Sequence, residues 1–295
     1  MPRASVGRVR SGAFDRLTDV QRMRLGRWLP GAVLDADLSR GLIETTVLRV
    51  RAAGGLCVVK AGGALDSHIA REIRAHRSWL APWVSAGRAP VLLHHDVDAK
   101  VLVTRWLPGR LVLHDPAADD PKVYEQAGRL LAALHAVEQR VDPTYESREN
   151  ARCRRWLASP HLIAPRDVAR IGELVASWPE PSAVLVPTHG DWQPRNWLVH
   201  EGEVRVIDLG RADMRPAATD LDRLAARDFR RDPALEAAFL LGYGEDPREP
   251  EAWGRTQVRE AVATAAWAHQ VGDEAFEREG LRRVAEALAS ASTDP

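Results

Sequence analysis

At 295 residues, with 45% hydrophobic and 28% charged positions and a formal net charge of +0, the chain has an ordinary globular composition. It is long enough for one large domain or two lobes of ~150 residues each. The balance excludes disorder and a fibrous fold, and it supplies no whole-chain field to recruit nucleic acid or an anionic membrane. The opening stretch MPRASVGRVRSGAFDRLTDV lacks the apolar core of a signal peptide. No run of the ~18 apolar residues needed to span a bilayer occurs, so the expected location is the cytoplasm. Cys57 and Cys153 form no metal-type pair, and neither CxxC nor HExxH is present. Cys57, inside LCVVK, reads as a small buried hydrophobe. Basic residues are almost all arginine; only Lys60, Lys100 and Lys122 are lysine.

In chain order, LTDVQRMRLGRWLPG predicts a short helix with Val20, Met23 and Trp28 at helical spacing, Thr18 or Asp19 as its cap and Pro30-Gly31 as its stop. ETTVLRVRAAGGLCVVK predicts a hairpin, with Val47, Leu48 and Val50 in one arm and Leu56 to Val59 in the other. DSHIAREIRAHRSWLAPW places Ile69, Ile73, His76 and Leu80 on one helical face, and APVLLHHDVDAKVLVTRWLPG supplies two more strands before a chain-reversing Pro-Gly. Beyond it the character becomes helical. VYEQAGRLLAALHAVE carries a stripe of Val123, Ala127, Leu130, Leu131 and Leu134, and DVARIGELVASW predicts a second helix capped by Asp167. NWLVHEGEVRVIDLG predicts a tight hairpin around Glu201-Gly202, and the chain from Thr219 onward reads as helices. A sheet-rich N-terminal part, a short connector and a helix-rich C-terminal part give an α+β, two-lobed expectation.

The densest chemistry lies in THGDWQPRNWLVHEGEVRVIDLGRAD. Phosphoryl transfer needs divalent ions bridging phosphate oxygens, a lysine neutralising others and a carboxylate to orient the attacking hydroxyl. The spacing His189-Gly190-Asp191, then Asn196 after four intervening residues, then an apolar strand ending in Asp208-Leu209-Gly210, meets that need. Asp191 is the candidate for the hydroxyl, and Asn196 and Asp208 are oxygen donors suited to Mg2+. Lys60 ends the strand CVVK, where an ammonium needs a partner; Glu72, on the helix that follows, is the expected one, with Asp66 also nearby. DADLSRGLIETTVLRV is expected to fold over phosphates through backbone N–H groups and the hydroxyls of Ser39, Thr45 and Thr46, with Gly41 its only glycine. None of the three lysines sits in a P-loop, and no G-x-S-x-G elbow occurs. His135 reads as a satisfied core histidine, Trp192 and Trp197 as walls that exclude water, and Arg195 as either a phosphate contact or a salt-bridge partner.

THGDWQPRNWLV, VRVIDLGRAD with the later TDLDRL, AGRLLAALHAVE, TRWLPG and CVVK together resemble the aminoglycoside phosphotransferase and choline kinase superfamily, small-molecule relatives of protein kinases. The resemblance implies a two-lobed protein-kinase-like fold: residues 1–105 as a nucleotide-binding lobe, 106–110 as connector and 111–295 as the catalytic and substrate-binding lobe. It implies ATP or GTP between the lobes, Mg2+ on Asn196 and Asp208, Asp191 as catalytic base or hydroxyl positioner, and Lys60 as the phosphate-binding lysine. The backbone of Arg105 and Leu107 would bind the purine. Leu209-Gly210 departs from the bulky residue and acid the family more often carries there. The implied reaction moves the γ-phosphoryl group to a hydroxyl of a small molecule, first an antibiotic, with choline, an amino sugar or homoserine as the metabolic alternative and a non-catalytic binding protein as a third. Asp213, Asp220, Asp222, Asp228 and Asp232 are interleaved with arginines, so no strongly acidic bowl for a polycation is expected.

Overall fold

The computed structural model describes residues 11–39 and 45–290; Gly41, in the expected phosphate-covering loop, lies outside them. From the N-terminus come α1 (Asp19–Trp28), β1 (Val33–Asp37), β2 (Thr46–Ala52), β3 (Gly55–Ala61), α2 (His68–Ser78), α3 (Ala81–Ser85), β4 (Leu92–Asp96), β5 (Val101–Arg105), β6 (Arg110–Leu111) and α4 (Pro121–His135). Then follow β7 (Arg140–Asp142), α5 (Tyr145–Leu157), α6 (Pro165–Ser177), β8 (Ala183–Thr188), β9 (Trp197–His200), β10 (Glu203–Val206) and β11 (Asp213–Arg215). The chain closes with α7 (Asp222–Ala226), α8 (Asp228–Arg231), α9 (Pro233–Tyr243), α10 (Pro250–Val271) and α11 (Glu274–Ser290). Two compact units result, residues 1–126 with 189–213 and residues 127–188 with 214–295. Among the described residues no helix is long and apolar enough to cross a membrane.

The first unit carries a five-stranded antiparallel sheet in the order β1-β2-β3-β5-β4. Side chains alternate across a strand. Leu48, Val50, Cys57, Val59, Ala61, Val101 and Val103 form one buried face, covered by Leu25 of α1, by Leu29 just past its end and by Leu17. Leu102 points to the other face, where Ile69 and Ile73 of α2 cover it. Lys60 lies between Val59 and Ala61 and pairs with Leu102 across the ladder, so its side chain shares the α2 face. Each fully buried aliphatic side chain contributes about 1.5–3 kcal/mol, which helps to hold α2 against this sheet.

On α1 the cap is Thr18: its hydroxyl accepts from Gln21 N–H at 3.2 Å, and Gln21 Oε1 accepts from Thr18 N–H at 3.0 Å. The face differs from expectation. Val20 and Met23 are exposed, while Gln21 and Leu25 are buried. Gln21 tolerates burial because its amide donates to Gly62 O at 3.0 Å and Ala99 O at 2.8 Å, which ties the helix to the strand ends.

The second unit is mainly helical. Cys153 of α5, Ile171 and Val175 of α6, Val258, Ala261, Val262 and Ala265 of α10 and Val284 and Leu288 of α11 make its core. Asp167 is not the cap of α6: the helix begins after Ala164 with Pro165 as its first residue, and Asp167 sits within the first turn, where a carboxylate suits the dipole. β7 and β8 form an antiparallel pair ahead of the helices. His135 is buried, its ring nitrogens 3.1 Å from Asp220 Oδ2 and 2.8 Å from Tyr243 Oη, as a satisfied core histidine should be.

Candidate functional site

The segment 189–213 is built on a tight hairpin. β9 and β10 pair from Glu203↔His200 to Val206↔Trp197, and Glu201 and Gly202 turn the chain at φ 53° and 79°, the left-handed pair a two-residue hairpin requires. β6 adds a third strand beside β9. Under the loop lies a packed aromatic base: Trp192 is fully buried, 5.7 Å from Trp83, 5.4 Å from Trp197 and 5.3 Å from the His189 ring, centroid to centroid. Tyr124 closes on Trp197 edge-on at 5.4 Å. Such pairs favour one arrangement of the loop. Trp192 and Trp197 are therefore the buried floor of the loop.

This floor holds Asp191 at 4% exposure. Its carboxylate is surrounded by donors from its own loop. Gln193 Nε2 lies 2.6 Å from Oδ1, and Arg195 Nε and Nη2 lie 3.1 and 2.6 Å from Oδ2. Asn196 Nδ2 donates to Oδ2 and to the backbone O of Asp191, both at 2.7 Å. The 3-10 turn Pro194–Asn196 brings these side chains back over Asp191. Asn196 O in turn accepts from Ile207 N–H at 3.0 Å, and His189 Nε2 lies 3.1 Å from Ile207 O, so the loop is stitched to the residue before Asp208.

Asp208 follows with φ 68°, a left-handed conformation that Asp tolerates better than most residues. Its Oδ1 lies 3.1 Å from Lys60 Nζ, and both Glu72 oxygens lie 2.9 Å from the same nitrogen. One ammonium thus joins β3, α2 and the Asp208 turn. Asp66, the other acid near Lys60 in sequence, is engaged elsewhere: it accepts from Ile69 N–H at the start of α2 and from the Thr45 hydroxyl, each at 2.9 Å. Burial would lower the Lys60 ammonium, but the adjacent Asp208 and Glu72 carboxylates outweigh it and hold it above its ordinary value. The Asp208 carboxyl is pulled well below the usual carboxylate range, first by Lys60 and with contributions from His189 and Arg195. Glu72 is pushed up by burial despite Lys60. The trio is held as an ammonium with one exposed and one buried carboxylate.

Two contacts absent from the sequence reading lock the Asp208 turn to α2. His68 Nδ1 meets Gly210 O at 2.9 Å, and Arg74 reaches Asp213 at 2.8 Å. A Cβ on Gly210 would stand 3.2 Å from His68 Cβ, a tight fit that accounts for glycine at this position. Their only signal in the sequence is that both lie on the polar flank of the helix bearing Glu72.

The remaining candidates are dispersed. Ser39 Oγ accepts from Val47 N–H at 2.9 Å, and Thr46 is buried; neither hydroxyl bonds Lys60, Asp191, Asn196 or Asp208 among the described residues. Arg105 N–H donates to Val91 O and Trp106 N–H to Leu56 O, each at 2.9 Å, whereas Leu107 N–H has no backbone partner among the described residues. Arg205 fixes the connector by donating to Pro108 O at 3.0 Å.

For a cation, the donors gathered here are oxygen: the Asp208 carboxylate, whose side chain is 55% exposed, and the Asn196 amide. No cluster of three His, Cys, Asp or Glu side chains suited to a metal occurs among the described residues. One carboxylate and one amide fit Mg2+, which habitually completes its shell with phosphates and water.

The model of the phosphotransferase enzyme family matches residues 37–257. The chain belongs to this family. Solved structures share the fold across the whole family member: aminoglycoside phosphotransferase APH(4)-Ia, with a TM-score of 0.68 and 16% identity, covering 92% of this chain and 98% of that one. Choline kinase LicA from Streptococcus pneumoniae aligns with a TM-score of 0.61 and 14% identity over 92% and 98% of the two chains. Macrolide 2'-phosphotransferase MphH from Brachybacterium faecium aligns at 0.53 and 18% over 90% and 97%. No match is found among curated proteins. The family member described here is accordingly a phosphotransferase with an antiparallel-sheet N-terminal part and a helix-rich C-terminal part.

Proposed function

We propose that the chain transfers the γ-phosphoryl group of ATP or GTP, bound with Mg2+, to a hydroxyl group of a small molecule in the cytoplasm. The observation that carries this reading is the Lys60 ammonium held at once by Glu72 and Asp208, while the Asp208 turn is bonded through Ile207 to the loop of Asp191 and Asn196. In this reading Lys60 binds phosphate oxygens, Glu72 keeps it in place, and Asn196 and Asp208 hold the cation. Held there, Mg2+ would supply positive charge to offset that of the phosphates. Asp191, its carboxylate oriented by Gln193, Arg195 and Asn196, aligns the acceptor hydroxyl and receives its proton, a role worth ~10²–10⁴ in rate. The Leu107 N–H and the backbone of Arg105 bind the purine, and Ser39, just past β1, and Thr46, at the start of β2, flank the phosphates.

The acceptor suggested by the family is an antibiotic; one structure of APH(4)-Ia is a ternary complex with ADP and hygromycin B. A second reading, a metabolic hydroxyl compound with little positive charge, is favoured by one observation. Each acidic residue of the 213–232 segment is already engaged: Asp213 by Arg74, Asp220 by His135, Asp222 by Arg283, Asp228 by Arg231 and Asp232 by the N–H of Ala234. A polycationic antibiotic needs uncompensated carboxylates, and this segment offers few.

The test is consumption of Mg2+–ATP and Mg2+–GTP against a panel of hydroxyl-bearing aminoglycosides, macrolides, choline, amino sugars and homoserine. The reading expects one class to form a phosphate monoester, and Asp191→Asn to lower that turnover by ~10²–10⁴ while nucleotide affinity persists. An Asp191→Asn protein with full turnover refutes the role of Asp191. A wild-type protein that binds nucleotide but phosphorylates nothing supports a binding protein instead.

A further inference from the structure

Arg195 is the residue of this loop whose geometry asks for more than a structural role. Its guanidinium stands on Asp191 Oδ2 through Nε and Nη2, while Nη1 makes no hydrogen bond or ion pair among the described residues. Asp191 is nearly buried, its side chain 5% exposed, and that of Arg195 is 36% exposed, so the guanidinium bridges from a covered carboxylate to solvent. The charges of the site make this consequential. Lys60 and Arg195 face Glu72, Asp208 and Asp191, two cations against three carboxylates, and Lys60 already lies against two of the three. A nucleotide triphosphate brought here adds negative charge, greatest at its terminal phosphate, and Arg195 is the cation with donors left to give. Guanidinium carries five N–H donors in a rigid fork suited to phosphate oxygens.

From these contacts we infer that Arg195 has two partners: it holds Asp191 in orientation with one edge and binds the terminal phosphate of the nucleotide with the other. This rests on the Mg2+–nucleotide reading above. A purely structural Arg195, serving only to fix the loop, would treat diphosphate and triphosphate alike.

The experiment is equilibrium titration of wild type, Arg195→Met and Arg195→Lys with Mg2+–ADP and with the Mg2+ complex of the non-hydrolysable imido analogue of ATP. Losing a charge-assisted hydrogen bond to the terminal phosphate should weaken the triphosphate analogue by about ten-fold in Arg195→Met. The diphosphate should change by less than about two-fold, because the lost contact is to a phosphate it lacks. Arg195→Lys should recover part of the difference, since it keeps the charge but not the fork. Equal weakening of both nucleotides, or no change in either, overturns the inference and leaves the nucleotide site standing. A wild-type protein that binds neither nucleotide overturns the site itself and the inference with it.

Discussion

Replacing Glu72 by Gln perturbs the centre of the first unit with almost no change in shape. Glu72 is 4% exposed and grips Lys60 Nζ with both oxygens at 2.9 Å. Two unit charges ~4 Å apart interact by about 4 kcal/mol at an effective dielectric of ~20. Removing one member of a buried pair typically costs about 3–5 kcal/mol, because the other is left uncompensated. Here Asp208 remains 3.1 Å from Lys60, but its side chain is half-exposed and screened, so it compensates only in part. The expected loss is therefore ~3 kcal/mol. It should appear as faster native-state amide hydrogen exchange in β3 and α2, the two elements the ion pair joins. Lys60→Met should also destabilise, yet adding it to Glu72→Gln should cost less than the sum by ~2 kcal/mol, since the second change removes the charge the first left stranded. Exchange in Glu72→Gln within about 0.5 kcal/mol of wild type, or fully additive single effects, would refute the argument that this buried trio is electrostatically coupled.

Two further predictions concern parts of the molecule outside the transfer chemistry. Both ring nitrogens of His76 on α2 are buried without a hydrogen-bond partner, and burial, helped by Lys60, lowers the imidazole from 6.5 to about 4. The folded state then binds fewer protons than the unfolded state between those values, so this contribution is intact above pH 6.5 and is lost as pH falls toward 4. Relative to wild type, His76→Leu should gain about 3 kcal/mol in urea stability between neutral pH and pH 4, and parallel pH profiles would contradict the assignment. In the second unit, a Cβ on Gly280 of α11 would stand 2.5 Å from Ala265 N and 2.6 Å from its Cα on α10. Gly280→Ala should therefore destabilise by about 1–2 kcal/mol, overpacking outweighing the better helix propensity; an unchanged or raised melting temperature would show that these helices separate freely.

Much of this arrangement is legible in the sequence because it follows from simple periods. Strand alternation puts Lys60 on the face opposite Val59 and Ala61, and a helical stripe from Ile69 to Leu80 carries Glu72 and His76 toward the same sheet. The hairpin at Glu201-Gly202 announces itself through its turn residues. What is not legible depends on side-chain bonds with no period. The α1 face inverts expectation because Gln21 finds two carbonyl acceptors, so a polar residue is buried where Val20 and Met23 are not. Asp167 looks like a cap by type, yet Pro165 starts the helix earlier. Asp66 and Glu72 compete for Lys60 on paper, and only the Thr45 and Ile69 bonds of Asp66 decide between them. The donors around Asp191 are likewise invisible as a pattern, since Gln193 and Arg195 act through a turn that folds them back onto their own neighbour.

The most direct test of the account is nucleotide titration of the wild-type protein and of Asp208→Asn, with Mg2+ and with chelator in its place. The account predicts saturable binding of ATP or GTP by wild type that weakens sharply without the cation, and binding by Asp208→Asn that no longer responds to Mg2+. Nucleotide affinity indifferent to Mg2+ in wild type, or a Mg2+ response preserved in Asp208→Asn, would contradict it.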